Sequence, residues 1–180
     1  LETIRQEAGP PVTEIQQARN IGEVEIYGID LRADYQLGAI SDALSGYSTG
    51  LNLSWADGHN KTTDDNVNTV DPFEAVLHFG YDSIDSETPW GLRLYGTYRA
   101  EKKDTTRDYA YYVPPASFVL DLTGYWSLSE NISLNFGLSN LTDERYWIWS
   151  SSSSTDHESL TSEYSVQPGL NGFLSLNIKL

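Results

Sequence analysis

The residues of this chain that could do chemistry are three histidines and a set of tyrosines and tryptophans in polar stretches. Imidazole is a common ligand for iron and other transition metals. His59 opens a polar stretch that also holds Asp64 and Asp65, and His157 lies between Asp156 and Glu158 in a Ser-rich one. Both are candidates for touching a ligand, set against the plainer reading of a solvated loop side chain. Neither has the ligand spacing of a metal site. Tyr111 and Tyr112, close to Tyr109, are further ligand-contact candidates, because loop tyrosines often serve as hot-spot anchors. His78 alternates with polar residues and reads as a hydrogen-bonded side chain. With no cysteine there is no thiol nucleophile, zinc ribbon or disulfide framework. No Ser/His/Asp set, carboxylate dyad or metal cluster has supporting context, so no catalytic residue, no metal site and no intrinsic cofactor are expected.

The elements that must carry these residues follow from composition and periodicity. The 180 residues hold 11 Lys+Arg against 26 Asp+Glu, a formal charge of −15. A chain this acidic repels phosphate, so nucleic acid is excluded as a partner. No apolar run approaches the ~18 residues of a membrane-spanning helix. Seven stretches, near 21–37, 47–58, 73–82, 90–101, 117–127, 131–142 and 171–180, alternate apolar and polar residues with period two, the pattern of strands. None shows a helical apolar stripe. The fold class is all-β.

The alternation is clean. Tyr47, Thr49, Leu51, Leu53 and Trp55 oppose Ser48, Gly50, Asn52, Ser54 and Ala56, and Ala75, Leu77, Phe79 and Tyr81 oppose Glu74, Val76, His78 and Gly80. In the first stretch Ile29, Leu31, Ala33 and Tyr35 are followed back in phase to Glu25 and Glu23, as if the strand left an apolar zone for water. Connections alternate short (38–46, 83–89, 128–130) and long (59–72, 102–116, 143–170). Up-and-down strands so joined place short turns at one end and long loops at the other, which with strands of about ten residues describes a transmembrane β-barrel. The rival is a soluble antiparallel sandwich, perhaps of an adhesin-like binding module, with one face to its own core. Aromatics at the run ends (Tyr35, Tyr47, Trp55, Tyr81, Trp126) favour the barrel, as an interfacial girdle. So does a polar face of Ser, Asn, Gly and Thr rather than Lys and Glu. Tyr146 and Trp147, just past a strand end, are assigned to the girdle as well. Asp30, Arg32, Asp34, Arg93, Arg99 and Asp121 fall on the polar face and predict a cross-strand charge network.

Asn131–Trp149, above all Asn140-Leu141-Thr142-Asp143-Glu144-Arg145-Tyr146-Trp147, resembles the penultimate strand of TonB-dependent outer-membrane receptors. Gln167-Pro168-Gly169-Leu170-Asn171 with the alternating strand after it resembles the family's ending. Asn20-Ile21-Gly22-Glu23-Val24-Glu25-Ile26-Tyr27-Gly28-Ile29-Asp30 is similar to a strand several hairpins earlier. Trp90-Gly91 and Val113-Pro114-Pro115 fall at familiar places between them. The Tyr-Trp-Ile-Trp that begins at Tyr146 leans toward the haem and haemoglobin branch. Two departures are Leu170, where the family usually has Arg, and Leu180, where such barrels commonly end in Phe.

The resemblance implies the last seven to eight strands of an about 22-stranded plugged barrel, with Leu1–Glu7 the top of the strand before the first stretch. Residues 1–180 are then expected to be the C-terminal part of the barrel domain. Plug, earlier strands and signal peptide would lie elsewhere, and a piece this size would have no transport of its own. It further implies capture of a scarce iron compound, most simply haem or haem from a carrier protein, with a ferric siderophore as the alternative. Passage would be driven by the TonB complex through the absent N-terminal part. Other expected partners are the rest of the barrel and plug, outer-membrane lipid and lipopolysaccharide. The family's haem-ligating histidines would lie upstream of Leu1.

Overall fold

The computed structural model describes residues 2–7, 13–17, 22–83, 87–102, 112–152 and 165–179, the first two stretches by backbone alone. The strands are β1 (Glu2–Glu7), β2 (Thr13–Gln17), β3 (Val24–Gln36), β4 (Tyr47–Asn60), β5 (Asp65–Asn66), β6 (Glu74–Asp82), β7 (Trp90–Arg99), β8 (Ser117–Ser129), β9 (Ile132–Ser139) and β10 (Asn171–Ile178). One helical turn, α1, spans Trp149–Ser152. β1 and β2 pair in a sheet of their own, and the rest form one meander in the order β3-β4-β6-β7-β8-β9-β10, with β5 hydrogen-bonded to β4. Every pairing is antiparallel.

All seven alternating stretches become strands, with ends shifted by a few residues. The stretch near 131–142 stops at Ser139 because Asn140 takes a left-handed φ of 55°, a conformation that Asn tolerates and that ends the ladder. Leu1–Glu7 was expected to top the strand before the first stretch; Glu2–Glu7 is extended but pairs with Thr13–Gln17 in a sheet apart from that of β3. That partner has no alternating pattern to betray it.

Register converts the sequence pattern into two surfaces. Residues directly opposite in an antiparallel ladder project to the same side. Leu31 faces Leu53, Leu51 faces Leu77, Leu94 faces Leu122, Leu122 faces Leu138, and Phe136 faces Leu174. One side of the sheet is therefore apolar, and among the described residues no second layer covers it. Leu77 is 58% exposed and Leu176 56%, whereas the buried apolar side chains among the described residues are only Val70, Val119 and Trp149. A sandwich would bury those leucines against a facing sheet; among the described residues none covers them.

Two aromatic bands border the apolar surface. At the short-turn end Tyr47 lies 4.7 Å from Tyr81, and Tyr81 5.1 Å from Trp90, whose ladder partner is Trp126. Tyr35, opposite Thr49, stands at the same end. At the long-loop end Tyr27 meets Trp55 edge-on at 5.8 Å, and Tyr98 is paired with Phe118. Beyond that band β3 and β4 continue as a ribbon past the last pairing of β4 with β6 (Ser54 with Glu74). There Lys61 bridges Glu23 (3.3 Å) and Glu25 (3.1 Å), so the strand does leave the apolar zone for water.

On the polar side, glycines let side chains meet across an intervening strand. Asp82 of β6 and Tyr125 of β8 flank Gly91 of β7, and the Tyr125 hydroxyl donates to Asp82 at 2.9 Å. A Cβ on Gly91 would run into both partners. Gly50 stands likewise between Asp34 and His78, which approach to 3.6 Å. Gly91→Leu should break the Tyr125–Asp82 bond and cost about 1–3 kcal/mol as an overpacked site. The readout is a lower urea midpoint for the complete protein; an unchanged midpoint would show the gap to be dispensable.

Candidate functional site at the long-loop end of the polar face

The polar face is a lattice of paired charges. Arg99 binds Glu74 at 2.7 Å, Arg32 binds Asp34 at 2.8 Å, and Arg93 reaches Asp82 at 3.4 Å. Asp121 accepts the backbone N–H of Asn140 at 2.8 Å. With opposite signs on the same and adjacent strands, this is the charge network that the sequence predicts. Two hollows interrupt it: one of about 250 Å³ lined by Asp82, Arg93, Thr123, Tyr125, Asn135 and Phe173, and one of about 190 Å³ lined by Ser54, Asp71, Glu74, Arg99, Ile148 and Trp149.

A strap crosses the second hollow, and Asn140 begins it. This side chain is 1% exposed, so each of its polar atoms must find a partner. Its Nδ2 donates to the carbonyls of Glu144 (2.8 Å) and Pro168 (3.1 Å), and its Oδ1 accepts from Glu144 N–H (2.8 Å) and the Thr142 hydroxyl (3.4 Å). A second left-handed residue, Asp143 (φ 50°), continues the turn, and its carboxylate accepts Leu170 N–H at 2.8 Å. The chain then runs over the polar face. The Arg99 guanidinium stands 5.9 Å from the Tyr146 ring, Trp147 packs on Tyr112 at 5.2 Å, and Arg145 covers Trp147 at 5.3 Å. Trp149, 3% exposed, ends the crossing by donating its indole N–H to the carbonyl of Asn68 at 2.6 Å, in the loop between β5 and β6. Three long connections are thus tied together at one end of the sheet.

A family model described as TonB dependent receptor-like, beta-barrel matches residues 3–141. The chain belongs to this family. It is 28% identical over 152 residues to Hemoglobin-haptoglobin utilization protein B of Neisseria meningitidis serogroup A, an alignment covering 76% of this chain and 18% of that protein. It is 26% identical over 155 residues to Probable hemoglobin and hemoglobin-haptoglobin-binding protein 4 of Haemophilus influenzae, covering 78% of this chain and 15% of that one. The solved Copper transporter OprC matches with a TM-score of 0.74 at 21% identity, over 88% of this chain and 24% of that one, a likeness of fold. The chain spans less than a fifth of the length of these curated relatives.

In a TonB-dependent receptor barrel the polar face is the lumenal one, and the positions of the sequence candidates can be stated on that basis. Tyr146 and Trp147 do not join the outer aromatic bands. The left-handed turns at Asn140 and Asp143 swing the chain inward, and Arg99, on the polar side, holds Tyr146 there. Tyr35, Tyr47, Trp55, Tyr81 and Trp126 stand on the apolar side, joined by Tyr27, Trp90, Tyr98 and Phe118, which periodicity also allowed. His59 shares the outward side of the β3–β4 ribbon with Glu25, and its Nε2 lies 3.1 Å from Asp64. His78 lies on the polar side beside Asp34 and 5.7 Å from Tyr95. Tyr112 leans on Trp147; burial raises its phenol pKa, Arg145 opposing, so it stays a neutral hydrogen-bond donor at physiological pH. His157 and Tyr111 lie outside the described residues. Among the described residues no group of three or more His, Cys, Asp or Glu is placed to hold a metal ion.

Asn140 is the position that residue chemistry alone did not single out. The signal was nonetheless present, since Asn140 opens the most specific stretch of the family resemblance. Asn140→Ala removes four side-chain hydrogen bonds and should cost about 2–4 kcal/mol of local stability. Cleavage by a protease between β9 and β10 of the complete receptor should then accelerate by roughly 30-fold or more. An unchanged cleavage rate would show that Asn140 does not hold the strap.

Proposed function

We propose that this chain is the C-terminal wall of an outer-membrane receptor that takes up haem, free or from a haemoglobin-type carrier. The observation that carries the ligand class is that the matched relatives are named for haemoglobin or its haptoglobin complex, at 24–28% identity over about three quarters of the chain. The fold supports the transport class. An apolar outer face between aromatic bands suits a bilayer, and a closed barrel is one of the two structures that can span one. No described helix is long and apolar enough to cross a membrane. The resemblance of Gln167–Asn171 and the strand after it supports placing residues 1–180 at the end of the barrel domain.

In this reading the division of labour is physical. The outer face holds the wall in lipid, with lipopolysaccharide around the long-loop end. The charged lattice of the inner face contacts water, plug or cargo. The strap of residues 140–149 sets the shape of the outer mouth, where Tyr112 and, beyond the described residues, Tyr111 and His157 are the proposed ligand contacts. His59, paired with Asp64 on the outward side, suits contact with a carrier protein rather than a ligand in the lumen. Energy would come from the TonB complex acting on the plug, and the wall itself needs no catalytic group. That is a receptor's role and not an enzyme's.

Haem titrated into the purified complete receptor should produce a Soret band that saturates at a fixed stoichiometry, and haemoglobin should compete for the site. Absence of a haem spectrum and of haemoglobin capture, with tight binding of a ferric siderophore instead, would overturn the ligand assignment and leave the barrel assignment standing.

A further inference from the structure

The polar face leaves hydrogen-bond donors unused at one place, the hollow of about 250 Å³ at the short-turn end. Two neighbouring inward rows build it. One runs Gly80–Arg93–Thr123–Gly137–Phe173 from β6 to β10, and the other Asp82–Gly91–Tyr125–Asn135 from β6 to β9. Tyr125 leans across Gly91 to Asp82, and Phe173 lies over Gly137, so the space between is bordered by Arg93, Thr123, Asn135 and Phe173. Asp82 is fully engaged there: Oδ1 accepts the Tyr125 hydroxyl at 2.9 Å and Oδ2 the Arg93 guanidinium at 3.4 Å. Arg93 is not. A guanidinium carries several N–H donors and no acceptor, and that 3.4 Å contact is its one hydrogen bond among the described residues. Its Nε lies against the sheet, 2.9 Å from where a Cβ on Gly80 would stand, buried and without a partner. The Thr123 hydroxyl and the Asn135 amide likewise have no hydrogen-bond partner among the described residues.

We propose that this hollow binds one carboxylate group, whose oxygens accept from the free edge of the Arg93 guanidinium, the Thr123 hydroxyl and the Asn135 amide. The proposal rests on the lumenal reading of the polar face and goes beyond it, since a lumenal wall as such holds no group in particular. Chemistry selects the sign of the occupant. A cation would meet Arg93 in the lining, and its natural anchor, Asp82, has both oxygens engaged. An anion finds unused donors, and carboxylate on guanidinium is among the strongest hydrogen-bonded pairs. Size selects its form. The hollow is smaller than the roughly 300–1,000 Å³ of sites that enclose a whole small molecule, so it takes a carboxylate on a stem. Phe173, an aromatic ring 58% exposed on the polar side, offers that stem an apolar wall. Two sources share this chemistry: an Asp or Glu side chain from the part of the receptor that fills the lumen, and a carboxylate arm of the cargo, such as a haem propionate.

The test places an amine in the hollow of the complete receptor, by Asn135→Lys and separately by Thr123→Lys, and joins it with a carbodiimide to any adjacent carboxylate. Heat-modifiable gel mobility shows that each barrel is folded, and peptide mass spectrometry identifies the carboxylate. An amide to an Asp or Glu outside residues 1–180, formed by the receptor alone, assigns the hollow to a lumen-filling segment. An amide formed only when haem is added, with haem colour retained on the denatured band, assigns it to cargo. Either supports the proposal, and adding Arg93→Gln should then lower the yield about tenfold. Folded variants that join to Asp82 alone or to nothing, with or without haem, or a yield that Arg93→Gln leaves unchanged, would overturn the proposal. A saturable Soret band in the same receptor would still stand for the proposed function. A receptor that partitions into buffer without detergent would overturn the lumenal reading as well.

Discussion

Hydrocarbon cannot hydrogen-bond, and the architecture follows from that one constraint. A backbone that enters a bilayer must pair every N–H and C=O within the protein. Seven strands here pair with their neighbours in an unbroken antiparallel meander, and the same ladder that satisfies the backbone forces side chains to alternate between two environments. Among the described residues the apolar side is left without a protein partner, and the polar side carries the ion pairs of Arg32, Arg93 and Arg99. The sheet has almost no core of its own, so its side chains are stabilised by what lies on either side of it. Its outer strands, β3 and β10, keep one edge unpaired within the described residues. A family barrel closes such edges with further strands, in keeping with a chain that covers less than a fifth of its relatives.

The two sides are built by different rules. Outside, large side chains stand in rows, interrupted by the glycines Gly96, Gly124 and Gly172. Inside, glycines make room for polar groups two strands apart to reach one another, as Gly91 does for Asp82 and Tyr125. The long-loop end adds a third rule. There the chain leaves the ladder at Asn140, whose buried amide replaces the missing strand partners with a local set of hydrogen bonds. The strap this creates joins β9, the β7–β8 connection through Tyr112, and the β5–β6 connection through Asn68, so the outer mouth is shaped by a few contacts between distant parts of the sequence.

Strand existence, order and facing were legible from the sequence because a period of two survives without knowledge of any neighbour. The failure at Tyr146 and Trp147 marks where that logic ends. Their side was inferred by carrying the girdle past the end of β9, yet two left-handed residues intervene and turn the chain inward. The roles of the inner glycines were invisible for another reason: Gly50 and Gly91 have meaning only beside their ladder partners, and register is a property of pairs of strands. Thr13–Gln17 pairs with Glu2–Glu7 without an alternating pattern, so its assignment likewise needed the fold. The charge network, in contrast, was readable, since Arg93, Arg99 and Asp34 lay in phase with one another on a face already identified.

The orientation of the two faces is tested most directly by a cysteine scan along β6, Glu74–Asp82, in a stretch that carries no cysteine of its own. Spin labels placed singly in the complete receptor, reconstituted in lipid vesicles, report collisions with dissolved oxygen, which concentrates in hydrocarbon, and with a water-soluble nickel chelate. Labels at 75, 77, 79 and 81 should collide with oxygen and be shielded from nickel, while those at 76, 78 and 80 should lack the oxygen response. Labels at the odd positions that are immobile and inaccessible to both reagents would place them in a dry protein core, and the membrane account of this sheet would be contradicted.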